Sequence, residues 1–315
     1  MKPVKITGCF RACLIILLAA VSVSSLKAEA EKHMEKTFKV GAGGTLFIDA
    51  DLGSIQVKTH DSKTVQIEVV LESRTGRSRL DDFIKDFNVE FDQQGDDVHV
   101  VAEFDRHGNF WDSIGRNVKV RFYATVPQKY NVDLKTSGGS ISVDDLEGSV
   151  QTKTSGGSLS FGQIRGEVKG YTSGGSIKLT ACEGDVDVKT SGGSITLGKV
   201  RGNISAHTSG GSIDVEEVMG DIDASTSGGS VTARLAEQPK ADCRLTTSGG
   251  TVRAYLASDI NVNVDAQTSG GRVVTDFPVT IKGDISKRAL RARINDGGPE
   301  LYLRTSGGSI YIKEL

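Results

Sequence analysis

The word Thr-Ser-Gly-Gly begins at Thr136, Thr154, Thr172, Thr190, Thr208 and Thr226, six occurrences in strict phase at 18-residue intervals. It returns at Thr247 and Thr268 after two steps of 21, and at Thr305 after a step of 37. A four-residue word recurring nine times confines the chain to an architecture of stacked, equivalent units. Each period holds a second rhythm of nine. Gly210-Gly211-Ser212 precedes Ile213-Asp214-Val215, and Gly220-Asp221 precedes Ile222-Asp223-Ala224. One unit is therefore two half-turns, each a Gly-bearing bend followed by a short strand.

Residues two apart in a strand share a face. One face collects Ile141, Leu159, Ile177, Ile195, Ile213, Val231 and Val252, and beside them Val143, Phe161, Leu179, Leu197, Val215, Ala233 and Ala254. The second strand contributes Val150, Val168, Val186, Ile204 and Ile222. Ser142, Lys178, Asp214 and Arg253 alternate with them and belong outside. This pattern predicts an all-β chain, a parallel β-solenoid of 18-residue two-strand coils. Each coil buries its thin apolar faces only by stacking on the next, at ~4.8 Å per strand. A helical repeat array is excluded: no window of the repeats shows i, i+3, i+4 spacing, and 38 Gly in 315 residues would weaken such helices.

The repeated word has a structural explanation. Paired glycines would let the backbone take positive φ where the chain reverses. The Thr falls on the inward side at the core's edge, where its hydroxyl needs a partner, either a backbone group or the next Thr. A ligand-binding row of hydroxyls is the alternative, and it has little support. The same register places Cys182 with Leu146, Ile164, Val200 and Val218, and Cys243 with Ile204 and Ile222. About three coils, roughly 14 Å, separate them, too far for a disulfide that needs Cα atoms within ~7 Å. Both are expected as small buried residues.

Residues 1–30 read as a secretory signal peptide, with Lys2, Lys5 and Arg11 before the apolar run Cys13–Val23 and an Ala28-Glu29-Ala30 cleavage site. The run is shorter than the ~20 residues that span a bilayer, so no transmembrane segment is expected after cleavage. Residues 31–135 form opening coils with an insertion at 72–117, and residues 136–315 form the regular array. Gly44-Thr45-Leu46, Gly53-Ser54-Ile55 and the strand Val65, Ile67, Val69 make residues 38–71 look like degenerate coils. The insertion carries an expected helix over Leu80–Phe87 and a hairpin around Gly95. It reads as a cap or flap over the first rung. Its sharper reading is a partner-binding surface at His107, Phe110 and Trp111. The C-terminal Ser309-Ile310-Tyr311-Ile312-Lys313 keeps the strand rhythm with no evident cap, so the last rung is expected to be open and available for self-association.

Catalytic, cofactor and metal chemistry finds no foothold. Gly-Gly-Ser is followed by Ile or Val where a calcium-binding β-roll needs Gly, and no H-E-x-x-H, C-x-x-C or G-x-S-x-G word occurs. Asp144, Asp145, Glu216 and Glu217 lie near one corner but four coils apart, so they do not converge as a glycosidase pair would. Formal net charge is −2, which gives no footprint for nucleic acid.

The repeated Thr-Ser-Gly-Gly-Ser-Ile, the early Gly44-Thr45-Leu46 and Gly53-Ser54-Ile55, and the closing Ile294-Asn295-Asp296-Gly297-Gly298-Pro299 before Leu303-Arg304-Thr305 resemble the bacterial DUF4097 family of β-strand repeat proteins, often labelled adhesins. The resemblance spans roughly residues 38–315. It implies an exported or envelope-associated β-solenoid and brings no catalytic motif. The expected role is a non-enzymatic, cofactor-free structural or adhesive surface, periplasmic, outer-surface or secreted, that meets an envelope glycan or protein. The alternative is an accessory protein of envelope stress sensing that binds a membrane partner through 72–117.

Overall fold

The computed structural model describes residues 30–74, 76–104, 118–281 and 286–315. The expected signal peptide therefore lies outside the described residues, apart from Ala30. Two sheets of 14 strands face each other across a thin apolar core. In the middle of the molecule every strand pairs in parallel with its equivalent one period away. Ile177, Ile195, Ile213, Val231 and Val252 pair in succession in the first sheet. Val132, Val150, Val168, Val186, Ile204 and Ile222 do so in the second. All are buried. The sheets lie close enough that core positions trade volume: a Cβ on Gly170 would meet the Phe161 ring at 3.3 Å. Both cysteines are free and buried, in the columns expected.

The repeated word is explained by contacts between coils. Every one of the nine Thr hydroxyls donates to a Gly carbonyl of the neighbouring coil, as Thr190 does to Gly175 and Thr208 to Gly193, both at 2.8 Å. The Ser after Gly-Gly forms a parallel staircase: its hydroxyl accepts from the backbone N–H of its equivalent in the next coil, Ser212 to Ser194 at 3.2 Å and Ser230 to Ser212 at 3.1 Å. The expected reason for the paired glycines is corrected, because none of them has left-handed φ. The second Gly is needed for close approach. A Cβ on Gly157 would lie 2.0 Å from the Gly139 carbonyl, and one on Gly193 2.1 Å from that of Gly175.

At both ends the stacking order departs from the chain order. The N-terminal coil, Thr45–Ala50 and Ser54–His60, lies between the coil of Asn131–Thr136 and Ile141–Val143 and an outer coil made by Asp97–Phe104 and Val118–Pro127. Asp97–Phe104, within the expected insertion, is thus one strand of a solenoid rung. Thr64–Ser73 runs antiparallel to Val118–Pro127, so the expected third opening strand belongs to the cover and not to a coil. Ala30–Lys39 pairs antiparallel beyond it, and Phe87–Gln94 covers the second sheet. Helix Arg77–Asp86 closes the core between them with Leu80 and Phe83, and Phe83 packs edge-on to Phe104. The outermost strands carry Glu31, Lys32, Glu35 and Lys36 on one sheet and Asn88, Glu90 and Asp92 on the other. Such side chains discourage edge-to-edge pairing.

The C-terminal coil, Glu300–Thr305 and Ile310–Glu314, is likewise interposed. It pairs on one side with Cys243–Thr247 and Val252–Leu256, and on the other with Val262–Thr268 and Val273–Thr275. The expectation of an open last rung is therefore corrected: both edges of the terminal strands are already hydrogen-bonded. Ala289–Ile294 returns antiparallel along Val262–Thr268, and a turn at 295–299 then feeds the chain into the gap. Asn295, the one described non-Gly residue with positive φ (51°), donates from Nδ2 to the carbonyls of Ser258 and Ile260.

Candidate functional site

Several groups that could do chemistry are taken up by the fold. The nine Thr hydroxyls are buried in the inter-coil ladder. Burial pushes the Cys182 and Cys243 thiols up to about 11, far from a reactive thiolate. At the corner beside Cys182 a shallow groove is lined by Asp145, Glu147, Arg165 and Glu183. Its charges neutralise one another along the stack, Glu147 with Arg165 at 2.9 Å and Arg165 with Glu183 at 3.6 Å. Asp145 accepts the backbone N–H of Gln163 at 2.7 Å. Glu217 pairs with Lys199 at 3.0 Å, away from that groove, so the two acidic pairs do not meet. Asp185 and Asp221 accept backbone N–H groups of the next bend, and Asp187 accepts the Tyr171 hydroxyl at 2.5 Å. Among the described residues no group of three or more His, Cys, Asp or Glu side chains is placed to hold a metal ion.

Outward-facing positions form fixed columns, and their character changes along the stack. The middle of the first sheet carries Ser142, Ser160, Lys178 and Thr196 in one column. Towards the C-terminal end the columns become cationic and aromatic. Arg253 pairs across strands with Tyr311, Arg234 with Tyr255, and Tyr255 with Lys313. Arg234 lies over the Tyr255 ring at 5.1 Å, and Arg253 and Lys313 lie over Tyr311 at 5.9 and 6.0 Å. The second sheet has a counterpart. Tyr302 is flanked by Arg244 at 4.7 Å and Arg304 at 3.9 Å, and Arg304 is bound to Asp265 at 2.8 Å.

His107, Phe110 and Trp111, the partner-binding residues expected from sequence, lie outside the described residues. The described part of 72–117 covers the N-terminal end of the core through Leu80, Phe83 and Phe87. The cation–tyrosine columns were not apparent from sequence. Counting in steps of 18 and 21 leaves Tyr311 far from Arg253; they become neighbours because the C-terminal coil inserts beside Val252–Leu256. The available signal was alternation within the strands, which marks Arg253, Tyr255, Tyr311 and Lys313 as outward.

The profile of the family described as Toastrack DUF4097 matches residues 44–313. No curated protein matches the chain. Among solved structures, a "putative adhesin" from Bacteroides fragilis is 12% identical, with 90% of this chain and 97% of that one covered at a TM-score of 0.36. A "putative lipid binding protein" from Parabacteroides distasonis is 10% identical, with 90% and 96% covered at 0.34. A "putative cell adhesion protein" from Clostridium sporogenes is 11% identical, with 91% and 100% covered at 0.27.

Proposed function

The chain belongs to the Toastrack DUF4097 family, and from that premise we propose that it is an exported, non-enzymatic solenoid presenting a rigid outer face to a glycan or protein of the envelope or its surroundings. One observation carries this reading. Thiols, Thr hydroxyls and corner carboxylates are used in holding coils together, whereas the outward columns are fixed in position by strands paired on both sides. A surface ordered without any binding event pays no ordering entropy when it meets a partner. The apolar run Cys13–Val23 and the Ala28-Glu29-Ala30 site support export. Docking through 72–117 onto a membrane partner rests on residues 105–117, and nothing described in that segment favours it over closing the core.

Cell fractionation combined with an attachment assay tests the proposal. The expected result is protein in the periplasmic, surface or secreted fraction and reduced attachment in a strain lacking it. Protein confined to the cytoplasm, or attachment unchanged on deletion, overturns it.

A further inference from the structure

The two outer faces at the C-terminal end share a composition of Arg and Tyr but differ in what is left unpaired. On the second sheet most of the charge is met within the protein: Arg304 and Arg291 both reach Asp265, and Tyr302 lies between Arg304 and Arg244, of which Arg244 has no ion-pair partner among the described residues. On the first sheet only Arg234 has a carboxylate, Asp214 at 3.6 Å. Among the described residues neither Arg253 nor Lys313 has an ion-pair or side-chain hydrogen-bond partner. Among the described residues the hydroxyls of Tyr255 and Tyr311 have no partner either.

We infer that this face, Arg234, Arg253, Tyr255, Tyr311 and Lys313, binds an acidic polysaccharide whose sugars carry carboxylates. The inference rests on the proposed role as a presenting surface and names its ligand class. Stacking on tyrosine holds each cation in place while leaving its N–H groups free for a carboxylate. The phenol hydroxyls beside them can donate to or accept from sugar hydroxyls. Rungs at ~4.8 Å offer about one cation per rung, close to the length of one pyranose unit, so charge spacing on face and polymer correspond. Columns running along a sheet face suit an extended polymer, whereas a small molecule needs a concave pocket.

Other anionic surfaces fit less well. Duplex nucleic acid carries a charge every ~1.7 Å, denser than these columns. A membrane surface calls for an array of protruding apolar side chains beside the cations; here Val274 beside Tyr311 and the exposed Leu315 are the apolar neighbours, and the column beyond Arg253 continues with Thr232 and Asp214.

The test is affinity electrophoresis and calorimetry of the purified full chain with polygalacturonate, with dextran as the neutral control. The wild type should bind polygalacturonate and not dextran. The double variant Arg253→Gln/Lys313→Gln should bind at least tenfold more weakly, and Arg244→Gln on the opposite face should bind like wild type. Both substitutions are on the surface, and thermal unfolding will verify that the fold is kept. No binding by wild type, equal binding by the double variant, or stronger retention of duplex DNA or phosphatidylglycerol vesicles than of polygalacturonate overturns the inference. If binding fails while attachment still depends on the protein, the ligand class is wrong and the surface role stands. If the chain proves cytoplasmic, the role fails whatever the patch binds in solution.

Discussion

The middle of the molecule and its two ends are built from the same coils but joined by different rules. Between Asn131 and Leu235 each coil rests on its neighbour in sequence, and the hydrogen bonds repeat 15 to 18 residues apart. At the ends the terminal coils are inserted behind their neighbours. Thr305 bonds to Gly250 across 55 positions and Thr136 to Gly53 across 83. The middle is thus a set of interchangeable local contacts. The ends are non-local closures, each held by one-off residues: Gly44, Asp96 and Tyr130 at one end, Asn263, Asn295 and Gly298 at the other.

Deletions address that difference most directly. Removing residues 190–207 takes out one whole period and leaves every column in register, so the shortened protein should unfold cooperatively at a similar temperature. Removing residues 300–315 instead extracts Leu301, Leu303, Ile310 and Ile312, all fully buried, from between two coils. At ~1.5–3 kcal/mol each that loss approaches the whole stability of a typical domain. The protein should aggregate or lose cooperative melting. Equal behaviour of the two deletions by calorimetry would erase the distinction.

Equivalence within the middle can be sharpened next. Ile195→Ala and Ile213→Ala should each cost ~2–5 kcal/mol and agree closely, because the two side chains occupy one column. Asp214→Ala, one residue along and outward, should stay within ~0.5 kcal/mol in denaturant titrations. The glycines separate similarly. Gly157→Ala forces a Cβ against a backbone carbonyl and should cost about 3 kcal/mol. Gly156→Ala meets nothing within 4 Å and should be neutral within ~0.5 kcal/mol. Thr190→Val removes one rung of the hydroxyl ladder, a loss of ~1 kcal/mol.

The smallest signal comes from the thiols. Since burial raises both from 9.0 to about 11, native protein at pH 8 should resist alkylation at Cys182 and Cys243, and unfolded protein should react at both. Raised values favour the neutral form in the fold. Their contribution to stability is present below pH 9 and declines as pH rises towards 11. Rapid labelling of the native state would contradict the burial.

How much of this was legible in the sequence follows the same division. Apolar columns, both cysteine positions and the inward Thr could be read because the period is constant and side chains alternate strictly. The stacking order at the ends could not. Thr247, Thr268 and Thr305 carry identical bend chemistry, so any of the three could follow another; the order is decided by the antiparallel strand Ala289–Ile294 and the turn after it. The role of the paired glycines was misread for a related reason. Sequence shows a flexible residue, but the constraint is a carbonyl belonging to the coil below. The cation–tyrosine face was hidden in part: Arg234 and Tyr255 are one 21-residue step apart, but Tyr311 and Lys313 join them only through the inserted coil.

The placing of the inserted coil also sets the order in which this end of the stack can close. A nascent chain that has reached only residue 299 has both flanking coils but nothing to seat between them. Closure there must wait for residues 300–314, and a product truncated before them would be marked by an exposed apolar seam.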